Sequence, residues 1–127
     1  MSFLLDTSAL IDVFVNRKSA DEIRAFVRGK RFLLSSITIY ELNKTKNLDQ
    51  RITNFLKNCD IIDFDIDSAQ LSAKIFKKLQ ENGHVINEMD ILMAGIAINN
   101  DLMLVTKDQD FEQVAIFFHE FKVKTFS

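Results

Sequence analysis

Short apolar runs alternate along this chain with longer segments in which apolar residues recur every three or four positions. Phe3 to Leu5, Phe32 to Leu34, Asp60 to Asp63 and Leu102 to Val105 read as short buried strands, and Phe121 to Val123 as a weaker fifth. Helical periodicity fills the intervals at about 9–16, 20–29, 37–46, 48–58, 67–82 and 88–99. Strands separated by helices of this length predict an α/β fold: a parallel sheet of four to five short strands, covered by helices on both faces. No linker, internal repeat or low-complexity stretch interrupts the order, so residues 1–127 are expected to form one domain.

In open parallel sheets ligands bind beyond the carboxyl ends of the strands, where the connections diverge. Four acidic residues fall at that edge. Asp6 directly follows the first strand, and Asp108 lies just past Val105 at the end of the fourth. Glu41 comes early in the helix after the second strand, and Asp90 begins the helix that leads into the fourth. Buried carboxylates without partners are costly, so several gathered at the edge of a core need cations between them. The pattern points to a metal site.

Each acid also has a purely structural explanation. Asn87 as N-cap would put Asp90 in the first helical turn, where the helix dipole favours it. Thr38-Ile39-Tyr40-Glu41 is a fair capping box, Asp108 could cap a short helix through Val114, and Asp6-Thr7-Ser8 could form a turn. Four independent capping events, however, have no reason to fall at one edge of one sheet. The helix after Asp90 is nearly all apolar from Ile91 to Ala97 and so is buried on most sides, which puts its first-turn aspartate at a cleft.

Other chemistries find less support. His84 and His119 stand alone without ligand-like spacing and read as surface residues. The three glycines, Gly29, Gly83 and Gly95, make no phosphate-cradling loop, and no histidine stands at a hydrolase-like position for Ser8, Ser35 or Ser36. Ser8 and Thr106 are better suited to capping helices or orienting a carboxylate or its water.

Composition narrows the setting. A hydrophobic share of 47% with 27% charged residues is that of a soluble globular protein. No apolar run approaches the roughly 20 residues of a membrane span, and Met1-Ser2-Phe3 carries no basic region ahead of an apolar one, so no membrane association and a cytoplasmic location are expected. The single cysteine, Cys59, excludes an intrachain disulfide and a cysteine-rich zinc site. A net charge of −2 decides nothing about nucleic acid, since local surface charge matters more than the sum. The basic groups at Arg24, Arg28, Lys30 and Arg31 and at Lys74, Lys77 and Lys78 read as solvated helix faces.

The motifs carrying these acids closely resemble those of the PIN-domain nucleases, in particular the VapC-type toxins of toxin–antitoxin pairs. The resembling segments are Leu4-Leu5-Asp6-Thr7-Ser8-Ala9-Leu10-Ile11-Asp12, Ser35-Ser36-Ile37-Thr38-Ile39-Tyr40-Glu41-Leu42, Asp90-Ile91-Leu92-Met93-Ala94 and Leu104-Val105-Thr106-Lys107-Asp108-Gln109-Asp110-Phe111. None is specific alone; four in this order and spacing are. The resemblance implies a PIN-like three-layer α/β/α fold, with Asp6, Glu41 and Asp90 holding a divalent metal and a fourth acid supplied by Asp108 or Asp110. Gly95 departs from the alanine more usual after that helix start and is expected to relax packing. The resemblance further implies Mg²⁺ or Mn²⁺, an RNA substrate cut to a 5′-phosphate and a 3′-hydroxyl, a cognate VapB-like antitoxin and a homodimer. The alternatives are a binding or scaffold domain of the same fold without nuclease activity and a small metal-dependent phosphatase.

Overall fold

The structure is a computed structural model that describes residues 1–127. Strand β1 (Phe3–Leu5) leads to helices α1 (Thr7–Val15) and α2 (Arg17–Val27), and β2 (Phe32–Ser35) to α3 (Ser36–Asn43) and α4 (Gln50–Leu56). The two-residue β3 (Ile61–Ile62) leads to α5 (Ile66–Glu81) and α6 (Glu88–Asn99), and β4 (Met103–Thr106) to α7 (Phe111–Phe117) and β5 (Lys122–Thr125). The five strands form one sheet in the order β3-β2-β1-β4-β5, and every pairing is parallel. The chain therefore runs outward from β1 through β2 to β3, then crosses back to the other side of β1 for β4 and β5.

The two-residue period of the strands sorts their side chains into two cores. Leu4, Leu33 and Leu104 face one layer with Ile75 and Leu79 of α5, Ile91 and Met93 of α6, and Phe111 of α7. Phe3, Leu5, Leu34 and Val105 face the opposite layer with Leu10, Ile23, Leu42 and Ile52 from α1 to α4. Helix α3 lies across the end of the sheet and serves both, since Ile37 packs on the first core and Leu42 belongs to the second. No helix is long and apolar enough to cross a membrane.

Caps explain most differences from the expected boundaries. The Asn16 side chain accepts from the Ser19 N–H, starting α2 three residues early, and the Asp49 side chain accepts from the Arg51 N–H to start α4. Helix α3 is capped by Ser35, whose hydroxyl accepts from the Thr38 N–H at 3.2 Å, so Thr38-to-Glu41 is not a capping box. Asp108 does not cap α7, which begins at Phe111. Phe121 is buried just ahead of β5 rather than in it.

Gly95 tightens packing instead of relaxing it. A Cβ there would collide with the Ser72 hydroxyl and come within 2.7 Å of the Ser68 carbonyl oxygen, so its absence lets α6 lie directly against α5. Ser72 completes the junction by donating to the Ile91 carbonyl at 3.1 Å. In an exposed helix Gly95→Ala would stabilise by about 1 kcal/mol. Here overpacking outweighs that gain: Gly95→Ala is expected to destabilise by roughly 1–3 kcal/mol in urea unfolding. Adding Ser72→Ala should recover only part of the loss, because the Ser68 carbonyl remains in the way.

Candidate active site

The strand order reverses between β1 and β4, the position at whose carboxyl edge open parallel sheets have their cleft. Asp6 stands at the carboxyl end of β1 there. Its N–H donates to the Val105 carbonyl at 2.9 Å, joining the two strand ends. Asp6 occupies the N-cap position of α1, yet its side chain makes no capping hydrogen bond. Instead Oδ2 accepts from Thr106 Oγ1 at 2.7 Å and from Ser8 Oγ at 2.9 Å. Both hydroxyls also accept a backbone N–H from the segment after β4, Thr106 from Asp108 at 3.0 Å and Ser8 from Lys107 at 3.3 Å. Asp6 is only 5% exposed, and burial pushes its carboxyl above the usual range against the pull of these hydroxyls.

A second hydroxyl chain holds Glu41. Thr7 Oγ1 donates to Glu41 Oε1 at 2.6 Å, and its single proton is then spent, so the 2.9 Å contact with Thr38 Oγ1 must be donated by Thr38. The order is Thr38 to Thr7 to Glu41, from a buried hydroxyl outward to the cleft. Thr7 was not singled out by the sequence reading, although an Asp-Thr-Ser run closing an apolar strand carries the signal of hydroxyls beside a carboxylate.

Asn87 caps α6, its side chain accepting from the Met89 N–H at 2.8 Å, which leaves Asp90 in the first turn. Desolvation and then the charges of Asp6 and Asp108, the hydrogen bond shared with Asp108 and the charge of Glu41 push the Asp90 carboxyl up to about 8. These influences bring Asp6, Glu41, Asp90 and Asp108 into one electrostatic unit. Asp110 is outside it: the residue is exposed at the start of α7, its N–H donates to Asp108 Oδ1 at 2.9 Å, and its own carboxylate lies 3.5 Å from Gln113. His84 is tied to Gln113 at 2.9 Å and packs edge-on to Phe117, while His119 is exposed; neither joins the acids.

Only carboxylate and hydroxyl oxygens converge here, the donor set of a hard divalent cation. No three His, Cys, Asp or Glu side chains are set so that one ion could bind all of them. That suits an ion that keeps much of its water and takes one or two carboxylates directly, and does not suit a closed all-protein cage. The raised pKa of Asp90 is the second sign of fit, since burial first and then the neighbouring acids disfavour its charged form, and a cation would favour it.

A doubly wound parallel sheet with a cluster of acids at its switch point is the class defined by this geometry. The PIN domain profile matches residues 3–116, and the chain belongs to the PIN domain family. It is 26% identical over 122 residues to the tRNA(fMet)-specific endonuclease VapC of Shigella flexneri, covering 90% of this chain and 92% of that protein. It is 29% identical over 96 residues to ribonuclease VapC3 of Methanocaldococcus jannaschii, covering 76% and 98%. The fold matches a chain in the crystal structure of VapBC2 from Rickettsia felis bound to a promoter DNA fragment, with a TM-score of 0.80, 22% identity and full coverage of both chains.

The charge cluster sets the pH dependence of stability. Asp90 has a folded pKa of about 8 against an ordinary value of 3.8, so between these values the folded chain binds more protons than the unfolded one. Its contribution to stability is therefore full below about pH 4 and is lost as pH rises through about 8. In chelator the wild type is expected to lose melting temperature more steeply than Asp90→Asn between pH 5 and pH 8, with the variant the more stable at pH 8. Excess Mn²⁺ should raise the wild type more than the variant, by mass action. Parallel melting curves for the two proteins would dismiss the cluster.

Proposed function

We propose that this chain is a divalent-metal-dependent endoribonuclease, using Mg²⁺ or Mn²⁺, and the toxin of a toxin–antitoxin pair that acts in the cytoplasm. Residues 1–127 are read as one PIN domain. The observation that carries the proposal is the convergence of Asp6, Glu41, Asp90 and Asp108 on the cleft at the β1–β4 switch point. Membership of the PIN family and the endonuclease and ribonuclease names of the relatives support it.

In this reading one or two of Asp6, Glu41, Asp90 and Asp108 would hold the ion directly and the others through its waters, and Asp110 stands aside. A bound divalent cation supplies Lewis-acid charge for phosphodiester hydrolysis and lowers the pKa of water. The residues of the chain do the positioning. Ser8 and Thr106 fix the Asp6 carboxylate, and Thr7 fixes that of Glu41, so neither must be reorganised when substrate arrives. Asp90 holds a proton on its carboxyl at neutral pH in the metal-free site and gives it up on neutralisation. Until then the cleft repels a polyanion, so cutting and metal loading are coupled.

One observation favours a non-catalytic scaffold of the same fold, namely that no three acids are set to hold a single ion. A cleavage assay separates the two. With Mn²⁺ or Mg²⁺ the purified protein should cut structured RNA, leaving 5′-phosphate and 3′-hydroxyl ends, and chelation should abolish it. Asp6→Asn and Asp90→Asn should each lower the rate by at least about a hundredfold, in line with removal of a preorganised charged group, while Asp110→Asn should change it severalfold at most. Full cutting by Asp6→Asn and Asp90→Asn would remove the site as assigned.

The VapBC neighbours motivate a partner proposal: a homodimer held by a VapB-like antitoxin whose tail enters the cleft and sets an arginine or lysine against the acids. Light scattering should give the mass of a dimer at micromolar concentration. A VapB-like product encoded beside this gene should inhibit the RNase, and substitution of its tail cations should release the inhibition.

A further inference from the structure

The acids explain how an ion is held, but they repel RNA, so attraction and orientation must come from groups outside them. The cation nearest to them in sequence is not free for this. Lys107 lies 3.1 Å from Asp12, donates to Ser19 at 2.9 Å and reaches the Ser127 carbonyl at 2.7 Å, holding the segment after β4 against α1 and α2.

Helix α3 offers a different arrangement. Tyr40 directly precedes Glu41 and is 53% exposed, although α3 otherwise turns its apolar side chains inward. Ile37, one turn earlier on the same stripe, packs against the core that contains Ile91 and Met93 of α6. Tyr40 stands on the exposed side of α3 beside Glu41, which reaches toward Thr7 of α1. One turn later the Lys44 ammonium stands 5.1 Å from the centre of the Tyr40 ring. Lys46 follows on the exposed turn, and neither lysine makes an ion pair, unlike Arg31, Arg51, Lys107 and Lys122.

An exposed aromatic ring with a cation over it and unpaired positive charge beside it is the equipment with which proteins hold single-stranded RNA, by base stacking and phosphate contact. We propose that Tyr40, with Lys44 across its ring and Lys46 beyond it, forms a subsite at the rim of the acidic cleft that stacks an unpaired base of the RNA substrate and holds the adjoining phosphates. The inference rests on the ribonuclease reading and deepens it: the target is a loop or single-stranded segment, not a continuous duplex, whose bases cannot reach such a ring.

Tyr40 is the only tyrosine and the chain has no tryptophan, so the ring reports on itself by its emission. The experiment uses full-length Asp90→Asn with Mg²⁺ at low salt, where the cation offsets the repulsion of the acids and the slowed cutting lets binding be read first. It is titrated with a short single-stranded oligoribonucleotide and with the same strand made abasic at every position. The base-bearing strand is expected to quench Tyr40 emission after correction for absorbance, and the abasic strand is not. By anisotropy of labelled RNA, adding Tyr40→Ala should weaken binding about tenfold and Tyr40→Phe should leave it within about twofold, since stacking needs the ring and not the hydroxyl. Lys44→Ala and Lys46→Ala should each lower the slope of log K against log salt by about 0.7. Equal quenching by both strands, no binding at all, or unchanged affinity in Tyr40→Ala would overturn the proposal. So would a fall in mass on light scattering in Tyr40→Ala, which would make the ring part of a contact between copies. None of these readouts depends on cleavage, so loss of the subsite and loss of the nuclease assignment are separately visible.

Discussion

The rest of the site depends on one buried carboxylate at the meeting point of two parallel strands. Asp6 is almost wholly withdrawn from water, and an isolated carboxylate there would be held against a desolvation penalty of several kcal/mol. Thr106 and Ser8 offset part of it by donating to the same oxygen. They also tie Asp6 to the strand beside it, because each hydroxyl takes a backbone N–H from the Lys107–Asp108 segment. Removing either hydroxyl would therefore do two things at once: expose the cost of burying Asp6 and loosen the segment that brings Asp108 to the cleft.

The other acids are held less deeply, and the gradient has a consequence. Glu41 is steered by Thr7 from a neighbouring helix, while Asp90 is fixed through its helix, which is pressed on α5 by the missing side chain of Gly95 and the Ser72 hydrogen bond. A carboxyl fixed by its helix has little freedom to turn away from its neighbours. Desolvation of Asp90, and after it the repulsion of Asp6, Asp108 and Glu41, consequently raises its carboxyl pKa. Close helix packing far from the cleft and charge regulation within it are two ends of one constraint.

Much of this was legible in the sequence, for reasons specific to each element. β1, β2 and β4 are apolar on both faces because both faces are covered, and α6 is apolar nearly all round because it is buried; such runs are hard to misread. The edge strand β5 lies later than expected because its apolar run centres on Phe121, which belongs to the core with Phe111 of α7, while the residues that pair with β4 alternate Lys122 and Lys124 with Val123 and Thr125 as edge strands do. The position of the four acids at one sheet edge followed from the order of elements alone. What does not follow from sequence is which of Asp108 and Asp110, two residues apart and both acidic, would complete the proposed set, since the pattern does not say which carboxylate belongs to the end of β4 and which to the start of α7. The Thr38–Thr7–Glu41 chain was equally hidden, because it joins residues more than 30 positions apart through side chains with many other possible partners. The tight Gly95 contact was read with the wrong sign, as a lone glycine in a helix says nothing about what faces it.

The division between holding an ion and holding a polyanion follows from the same layout. A cleft that gathers four carboxylates cannot also gather lysines without quenching its own charge by ion pairs, as the Lys107–Asp12 contact shows a few residues away. Cations that serve substrate must then sit where no carboxylate can reach them, at the exposed end of an element whose other face supplies an acid. Helix α3 meets that condition. It spans the end of the sheet with one side in each core, turns Glu41 toward α1, and carries its unpaired lysines into the solvent at its carboxyl end. There the carbonyl ends of the helix dipole also favour positive charge. Under the proposed ribonuclease function, selectivity for one RNA over another would then vary through the exposed turn after α3, with the acids and the hydroxyls that orient them unchanged.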